Sequence, residues 1–163
     1  MGNLVTVENL LDPHDQKIMR GHDMPISAMA VSCLGTFIAS GQRGTKNYKG
    51  LAAPVFVWSG RSFRRHQILK GLSRGVQVVA FSTDEKYVAA ADEEGLFYIW
   101  DLQTAEVIYG QKFSGRPSVL QWVSHSRGAY HTSYELVVGF NGSLMHCELG
   151  RRHFVEPSLF ITH

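Results

Sequence analysis

The chain of 163 residues is poor in cysteine, in helix-forming patterns and in long apolar stretches. No window approaches eighteen uninterrupted apolar residues, so we expect no membrane-spanning helix. The opening residues, MGNLVTVENL, lack the basic flank and the apolar core of a secretory signal. The only cysteines, Cys33 and Cys147, have no metal-ligand spacing and predict free thiols in a reducing, cytoplasmic compartment. Apolar residues make up 44% of the chain, so it is expected to fold rather than remain disordered.

Acidic residues are missing from a long stretch between Asp23 and Asp84, although the whole chain carries a formal charge of only +2. The basic residues within this gap are Arg43, Lys46, Lys49, Arg61, Arg64, Arg65, Lys70 and Arg74. A concentration of one charge sign is typical either of a surface for an anionic partner or of an ordinary solvated face. Both interpretations stay open from the charges alone.

Three segments of the chain, 21–58, 71–102 and 118–149, are similar to one another. Their corresponding positions recur about every 40 to 50 residues: Val31 with Phe81 and Trp122, and Trp58 with Trp100 and Cys147. A period of about 40–45 residues, opened by Gly-His and closed by Trp-Asp, is typical of the blades of WD-repeat propellers.

The local patterns favour strands. Ile26, Ala28 and Ala30 alternate with other residues at period two, and Phe97–Trp100 is rich in aromatic and β-branched residues. We therefore predict an all-β fold, made of WD-repeat β-propeller blades of four antiparallel strands, with about three complete blades plus a partial one. The predicted outer strands are 64–69, 106–113 and 152–155.

The predicted organisation follows the repeats. It comprises the last strands of a partial blade (1–20), a blade with an inserted loop at 43–53 (21–70), a second blade (71–113), a degenerate blade (114–156) and a tail (157–163). The extra residues His125–Ser133 are expected to lengthen a loop, where backbone can meet water. Because propellers close with about 4–8 blades, the chain is not expected to close a ring without further blades from a longer protein or a partner.

The residues described above resemble the WD-repeat family over roughly 3–156. The resemblance implies a buried hydrogen-bonded set made of a His after Gly, a Ser or Thr on the second strand, a turn Asp and the Trp. In the first repeat, His22, Ser40 and Trp58 match this set, whereas the insertion displaces the turn Asp. We expect His22 to be a structural core residue and not a ligand, since buried polar groups need partners.

The later repeats match the same set less well. In the second repeat Trp100 and Asp101 match. The His, Ser and turn Asp positions of that repeat hold, in order, Leu72, Ala90 and Glu94. In the third repeat Asn141-Gly142 resembles the turn, and Cys147 stands at the Trp position.

The first repeat, with GH…ISAMAVSCLGTFIASGQ, a long insertion and VFVW, resembles two groups of WD-repeat proteins. These are the cilia- and flagella-associated proteins bound to axonemal doublet microtubules, and the echinoderm-microtubule-associated-protein-like group. The opening VTVENLLDPHDQKIMRGH fits the ciliary group better. The resemblance implies a non-enzymatic scaffold of the cytoskeleton, at the axoneme of a cilium or flagellum, whose partners are tubulin or axonemal proteins. An adaptor subunit of another assembly, such as a ubiquitin-ligase or trafficking complex, is the alternative.

The candidate partner-binding residues come from charge and loop position. They are Arg43, Lys46, Tyr48 and Lys49, supported by Arg61, Arg64 and Arg65. Tubulin surfaces are acidic, and several basic side chains together can steer and orient association.

Other motifs give only weak indications of catalysis, metal binding or nucleic-acid binding. Gly71–Gly75 matches G-x-S-x-G, but that motif needs a helix after the Ser, and an apolar strand pattern follows Ser73. The histidines lack zinc-ligand spacing, so neither a metal nor a cofactor is expected. Nucleic acid is not expected as a partner, because no aromatic residues are regularly interleaved with the basic ones.

Overall fold

The computed structural model describes residues 2–44, 52–127, 132–149 and 154–160. Within this part of the chain every regular element is a strand. The strands are β1 (Leu4–Asn9), β2 (Asp12–Arg20), β3 (Ile26–Val31), β4 (Phe37–Gln42), β5 (Val55–Ser59), β6 (Arg65–Leu69), β7 (Val76–Phe81), β8 (Tyr87–Asp92), β9 (Leu96–Asp101), β10 (Val107–Lys112), β11 (Pro117–Arg127), β12 (Thr132–Phe140), β13 (Ser143–Leu149) and β14 (Phe154–Phe160). Over the same residues, no helix is long and apolar enough to cross a membrane.

The strands form one two-stranded sheet, β1–β2, and three four-stranded sheets: β3–β4–β5–β6, β7–β8–β9–β10 and β11–β12–β13–β14. All paired strands are antiparallel and follow chain order. The first strand of the middle sheet, β7, contacts the first strands of both neighbouring sheets, β3 and β11. The architecture is therefore a partial propeller, and it confirms the predicted all-β fold of four-stranded blades.

Burial explains why these segments form strands of a propeller. Along β3, Ile26, Ala28 and Ala30 are half-buried while the residues between them are exposed, which is the alternation predicted from the sequence. The second strand of the next sheet, β8, is instead buried on both faces from Val88 to Asp92. Its small residues, Ala89, Ala90 and Ala91, allow the neighbouring sheets to approach closely from either side.

Three apolar clusters hold the successive sheets together. The cluster between the β1–β2 sheet and the first four-stranded sheet contains Val5, Met19, Ile38, Phe56 and Trp58. The second joins the first and second four-stranded sheets around Trp100, and the third joins the second and third sheets around Phe97, Trp122 and Leu136. Each sheet thus buries its apolar face against the next, which supplies most of the stabilisation.

The third sheet differs from the sequence prediction in two places. The loop predicted at His125–Ser133 was wrong, because β11 reaches Arg127 and β12 begins at Thr132, with Ser126 opposite Ser133. Residues 125–127 and 132–133 lengthen the hairpin instead, and their backbone groups pair across the two strands. The outer strand β14 runs from Phe154 to Phe160 and crosses the predicted boundary at 156, because it pairs with β13 along its length.

Antiparallel pairing places the connecting segments at two opposite ends of the sheets. Arg43, after β4, lies beside the residues before β3, since its amide donates to the carbonyl of Pro25 at 2.8 Å. We call this end, which also carries the links from β2 to β3 and from β6 to β7, the His22 end. The β5–β6 turn lies at the other end, because Ser59 pairs with Phe37 and the amide of Gly60 donates to the carbonyl of Thr36 at 2.7 Å. We call it the Arg61 end.

Candidate protein-interaction surfaces and the networks that position them

A buried polar network fastens the first four-stranded sheet. His22 is 5% exposed, and its Nε2 lies 2.7 Å from Ser40 Oγ. The indole Nε1 of Trp58 donates to the same Ser40 oxygen at 2.8 Å. His22 Nδ1 lies 2.8 Å from the amide oxygen of Gln42. Because an amide oxygen only accepts, Nδ1 carries the proton, and the Ser40 hydroxyl donates to Nε2. Every polar atom in this chain of contacts therefore has a partner.

The network includes two residues that the sequence reasoning missed, Gln42 and Asp23. Gln42 is 2% exposed, and its Nε2 donates to Asp23 Oδ1 at 2.7 Å. Gln42 thus bonds the imidazole of His22 in a repeat that lacks the turn Asp. The signal in the sequence was a polar residue two positions after Ser40, which places both side chains on one face of β4.

The network keeps His22 neutral. Desolvation by burial lowers the pKa of His22 below its ordinary value, and the bond to Gln42 and the charge of Asp23 only partly oppose this effect. The uncharged imidazole is the form that can accept from Ser40 and donate to Gln42. We conclude that His22 serves the sheet as a connector and is not exposed to any ligand.

The second four-stranded sheet has apolar residues in place of the histidine and serine next to its buried tryptophan. Leu72 and Ala90 occupy the His and Ser positions, and they are 1% and 0% exposed. Trp100 is fully buried, and its Nε1 donates to the carbonyl of Lys70 at 3.0 Å. Asp101 accepts from the amides of Gln103 and Thr104 and so caps the turn that follows β9.

The turn between β8 and β9 contains another residue that the sequence reasoning missed. Asp92 is 1% exposed, and its Oδ1 accepts from the amides of Glu94 and Leu96 at 3.0 and 2.9 Å. Glu94, at the turn Asp position, instead forms an ion pair with Arg74 at 2.9 Å. The signal was an Asp directly before a short Glu-Glu-Gly segment, because Asp commonly caps the amides two residues further on.

The third sheet replaces the network by apolar burial. Cys147 is 1% exposed, and burial raises the pKa of its thiol to about 11, so the thiol stays protonated. Asn141 and Gly142 have φ values of 50° and 76° and form the tight turn between β12 and β13. Trp122, on β11, donates from Nε1 to the carbonyl of Ala80 and so ties the third sheet to the second.

The candidate partner-binding residues that the structure describes lie at two ends of the first four-stranded sheet. Arg43 is exposed at the His22 end, where the 43–44 segment touches the backbone of Arg74 and Gly75. Arg61, Arg64 and Arg65 are exposed at the Arg61 end, on or beside the β5–β6 turn. Lys46, Tyr48 and Lys49 lie outside the described residues. Arg43 and the three arginines of the β5–β6 turn therefore lie at opposite ends of the first four-stranded sheet.

The alternative chemical sites have little support in the fold. Ser73 lies in the link between β6 and β7, and the element after it is the strand Val76–Phe81, where a nucleophile elbow requires a helix. Among residues 2–44, 52–127, 132–149 and 154–160, no three His, Cys, Asp or Glu side chains are grouped so that they could hold a metal ion.

The family model described as "WD domain, G-beta repeat" matches residues 14–46 and 61–101. The first match begins within β2 and the second begins just before β6, and each continues into the sheet that follows. The sequence repeat is therefore shifted by one strand relative to the sheets. Together with the four-stranded antiparallel sheets, this shows that the chain contains WD repeats and has a partial β-propeller architecture. Proteins of this class are generally protein-interaction scaffolds.

The chain is similar to parts of two longer proteins. It is 27% identical over 112 residues to cilia- and flagella-associated protein 52 of Chlamydomonas reinhardtii, a match that covers 68% of this chain and 18% of that protein. It is 36% identical over 73 residues to the protein LST8 homolog of Drosophila melanogaster, covering 45% of this chain and 22% of the relative. The chain thus spans about a fifth of the length of these relatives.

Solved structures agree on the fold. The β-propeller domain of Cps50 (Swd1) from Myceliophteria thermophila superposes with a TM-score of 0.63 at 16% identity. The match covers 85% of this chain and 40% of that one. At this identity, the likeness shows the architecture alone.

Proposed function

We propose that this chain is the WD-repeat part of a microtubule- or axoneme-associated scaffold of cilia and flagella, located at the cytoskeleton. The observation that carries the proposal is the similarity to cilia- and flagella-associated protein 52 over about two thirds of the chain. The fold supports it, because a propeller offers several rigid loops at each end as contact surfaces.

The His22 end is the surface that we assign to the microtubule. Arg43 is exposed there, and Lys70 adds a second exposed basic side chain in the link between β6 and β7. Arg74, at the same end, is partly neutralised by Glu94, which also lies 3.9 Å from Lys112. Lys46, Tyr48 and Lys49 follow Arg43 in the sequence and complete the proposed contact set. Individual exposed ion pairs contribute only about 0–1 kcal/mol, so several must act together.

Co-sedimentation with polymerised tubulin tests this assignment. The first variant combines Arg43→Glu, Lys46→Glu and Lys49→Glu, and its matched control combines Arg61→Glu, Arg64→Glu and Arg65→Glu at the opposite end. Both change the net charge equally. We expect the first variant to bind microtubules at least about tenfold more weakly and the control to bind as the parent does. A parent chain that stays in the supernatant would disprove the proposal.

A second function, an adaptor subunit in a non-cytoskeletal complex, is favoured only by the similarity to the LST8 homolog. Affinity purification of the tagged chain from ciliated cells distinguishes the two functions. Recovery of one defined complex without tubulin or axonemal proteins would support the adaptor. Fluorescence of the tagged chain along the axoneme would support the scaffold.

A further inference from the structure

Two apolar residues on the first strand of the first four-stranded sheet are exposed, whereas their counterparts in the other two sheets are buried. Met29 and Val31, on β3, are 51% and 64% exposed. The corresponding residues, none of which is more than 9% exposed, are Val79 and Phe81 on β7 and Leu120 and Trp122 on β11. Since all of these residues hold equivalent places in their strand pairs, the difference lies in what covers them.

In the second and third sheets this place is covered by the first two strands of the preceding sheet. Phe37, at the start of β4, stacks on Phe81 with ring centroids 6.4 Å apart. Tyr87, at the start of β8, stacks on Trp122 at the same distance. Small side chains of the same strand pairs pack into the two apolar clusters: Ala28, Ala30 and Ala39 before the second sheet, and Val78, Ala80 and Ala89 before the third. A strand pair that fits this place thus has one aromatic residue among small ones.

The sheet in front of the first four-stranded sheet lacks such a strand pair within the part of the chain that the structure describes. β1 pairs with β2 alone, so its other edge has no strand partner there. Val5 of β1 and Met19 of β2 share a cluster with Trp58, just as Leu69 of β6 shares one with Trp100. β1 and β2 therefore correspond to β5 and β6, and no described strand beside β1 corresponds to β3 or β4.

The exposed residues and the free edge of β1 bound one site. Val31 is paired with Ile38, which β1 and β2 cover, so the exposed apolar surface is continuous with an interface that already exists. The amide of Ile26, at the start of β3, donates to the carbonyl of Gly2, just before β1, at 3.1 Å. This bond holds the beginnings of β1 and β3 close together, so one strand pair can reach the edge and the apolar surface at once. We call Met29, Val31 and the free edge of β1 the half-blade site.

The half-blade site offers two kinds of contact. An unpaired strand edge presents amides and carbonyls that a further strand can bond. Alternate side chains of an added strand then give specificity by filling the adjacent surface. A single strand is not sufficient, because both strands of the preceding pair contribute side chains to the equivalent clusters in the other sheets. The occupant that fits the site is therefore a β-hairpin.

A second copy of the chain does not fit the site through its own β1. Two β1 strands paired antiparallel are related by a two-fold axis perpendicular to their sheet, so the Val5 side chains of both copies would lie on the same face. Both first four-stranded sheets would then pack against that face, and the sheet of the second copy would overlap β3 of the first. The described hairpins of this chain are all packed in its own sheets, so they cannot serve as the occupant.

We propose that the half-blade site is a docking site for a β-hairpin of a partner protein. The second strand of the hairpin pairs antiparallel with β1, and its first strand lies over β3. An aromatic residue at the start of the second strand covers Val31, and small residues at alternate positions of both strands cover Met29. Docking completes a four-stranded sheet in front of the first one, and it does not depend on the assignment of the His22 end to microtubules.

A peptide copied from residues 76–92, which form β7, β8 and their turn, is a probe with the required pattern. Its ends are joined, because an isolated two-stranded hairpin is only marginally stable. Fluorescence anisotropy of the labelled probe with the full chain should show saturable binding. The variant Met29→Asp, Val31→Asp should bind at least about tenfold more weakly. Its matched control, Val107→Asp, Ile108→Asp, changes two exposed apolar residues of β10 and should bind as the parent does.

Hydrogen exchange locates the bound probe. The amides on the free edge of β1 should exchange more slowly when the probe is bound, because a paired strand protects them. Replacing the aromatic residue of the probe, Tyr87→Ser, should weaken binding severalfold. Tryptophan fluorescence of both protein variants verifies that the sheets remain folded.

Several results would overturn the proposal. These are an absence of saturable binding, and equal losses in the two protein variants, since the probe would then bind any exposed apolar residues. A dimeric mass with slow exchange at β1 before the probe is added would overturn it in favour of a second copy. Binding by this chain but not by the protein purified from its source would overturn it in favour of a further segment of the same polypeptide.

Discussion

The first and second four-stranded sheets have the same strand order and a tryptophan at the same position. The side chains packed around that tryptophan are polar in the first sheet and apolar in the second. In the first, His22, Ser40 and Trp58 form a polar network that Gln42 and Asp23 extend to the surface. In the second, Leu72 and Ala90 fill the equivalent space, and Trp100 donates to a backbone carbonyl. The shape of the space is kept, while its polarity is not.

The difference shows what the architecture requires of these positions. A buried indole N–H must find an acceptor, and either a hydroxyl or a carbonyl satisfies it. Once that bond is made, the residues next to the tryptophan can be polar with complete pairing or entirely apolar. A mixture of the two leaves a buried polar atom without a partner, which costs about 1–3 kcal/mol. The predictions below use this incompatibility.

Leu72→His introduces half of the polar network into the apolar sheet, and we expect the largest effect. The imidazole would face Ala90 without a hydroxyl partner and would replace a fully buried leucine, so the free energy of unfolding should fall by about 2–4 kcal/mol. Adding Ala90→Ser should recover about 1 kcal/mol. Urea unfolding followed by tryptophan fluorescence measures both values. Ser73→His, an exposed neighbour, is the control, and an unchanged stability of Leu72→His would contradict the comparison.

Ser40→Ala removes the centre of the polar network, and we expect the next largest effect. Trp58 Nε1 and His22 Nε2 would both lose their partner inside the core, so the free energy of unfolding should fall by about 1–3 kcal/mol. The same urea titration measures the loss. Ser62→Ala, on an exposed turn, is the matched control and should change stability by less than about 0.5 kcal/mol.

Acidification should lower the free energy of unfolding through His22, which belongs to the first sheet and has no counterpart in the second. We expect this to be the smallest of the three effects. The pKa of His22 is lower in the folded chain than its ordinary value of 6.5. The unfolded chain therefore takes up a proton first as the pH falls below 6.5, and stability present above that pH is progressively lost toward the folded pKa. His22→Gln should show a shallower loss of urea midpoint between about pH 7.5 and about pH 5.5. Parallel curves for parent and variant would show that His22 does not contribute.

Local patterns in the sequence were enough to predict the strands and the repeat. Alternation along Ile26, Ala28 and Ala30, and the turn residues Asn141 and Gly142, are set by side-chain and backbone preferences within a few residues. The role of Gln42 was harder to foresee, because its partners His22 and Asp23 are about twenty residues away and meet it only after β3 and β4 pair. Asp92 was missed because its carboxylate bonds the backbone, which a search for side-chain sets does not detect.

The stretch without acidic residues between Asp23 and Asp84 did not indicate that its basic residues lie at opposite ends of the sheet. Arg43 and Arg61 stand close in the sequence, but one strand, β5, lies between them and carries the chain from one end of the sheet to the other. The third sheet gave the same lesson, because extra residues expected to form a loop extended two strands instead.

The sequence by itself determined the class of fold, the period of the repeat and the apolar face of most strands, because these depend on short-range preferences and on the hydrophobic effect. Only the tertiary structure decided which polar residues pair inside the core and which charged residues share an end. Both depend on how antiparallel strands bring together residues that are distant in the chain and separate others that are near. The placement of Arg43 at one end of the first four-stranded sheet and of Arg61 at the other is a consequence of that pairing.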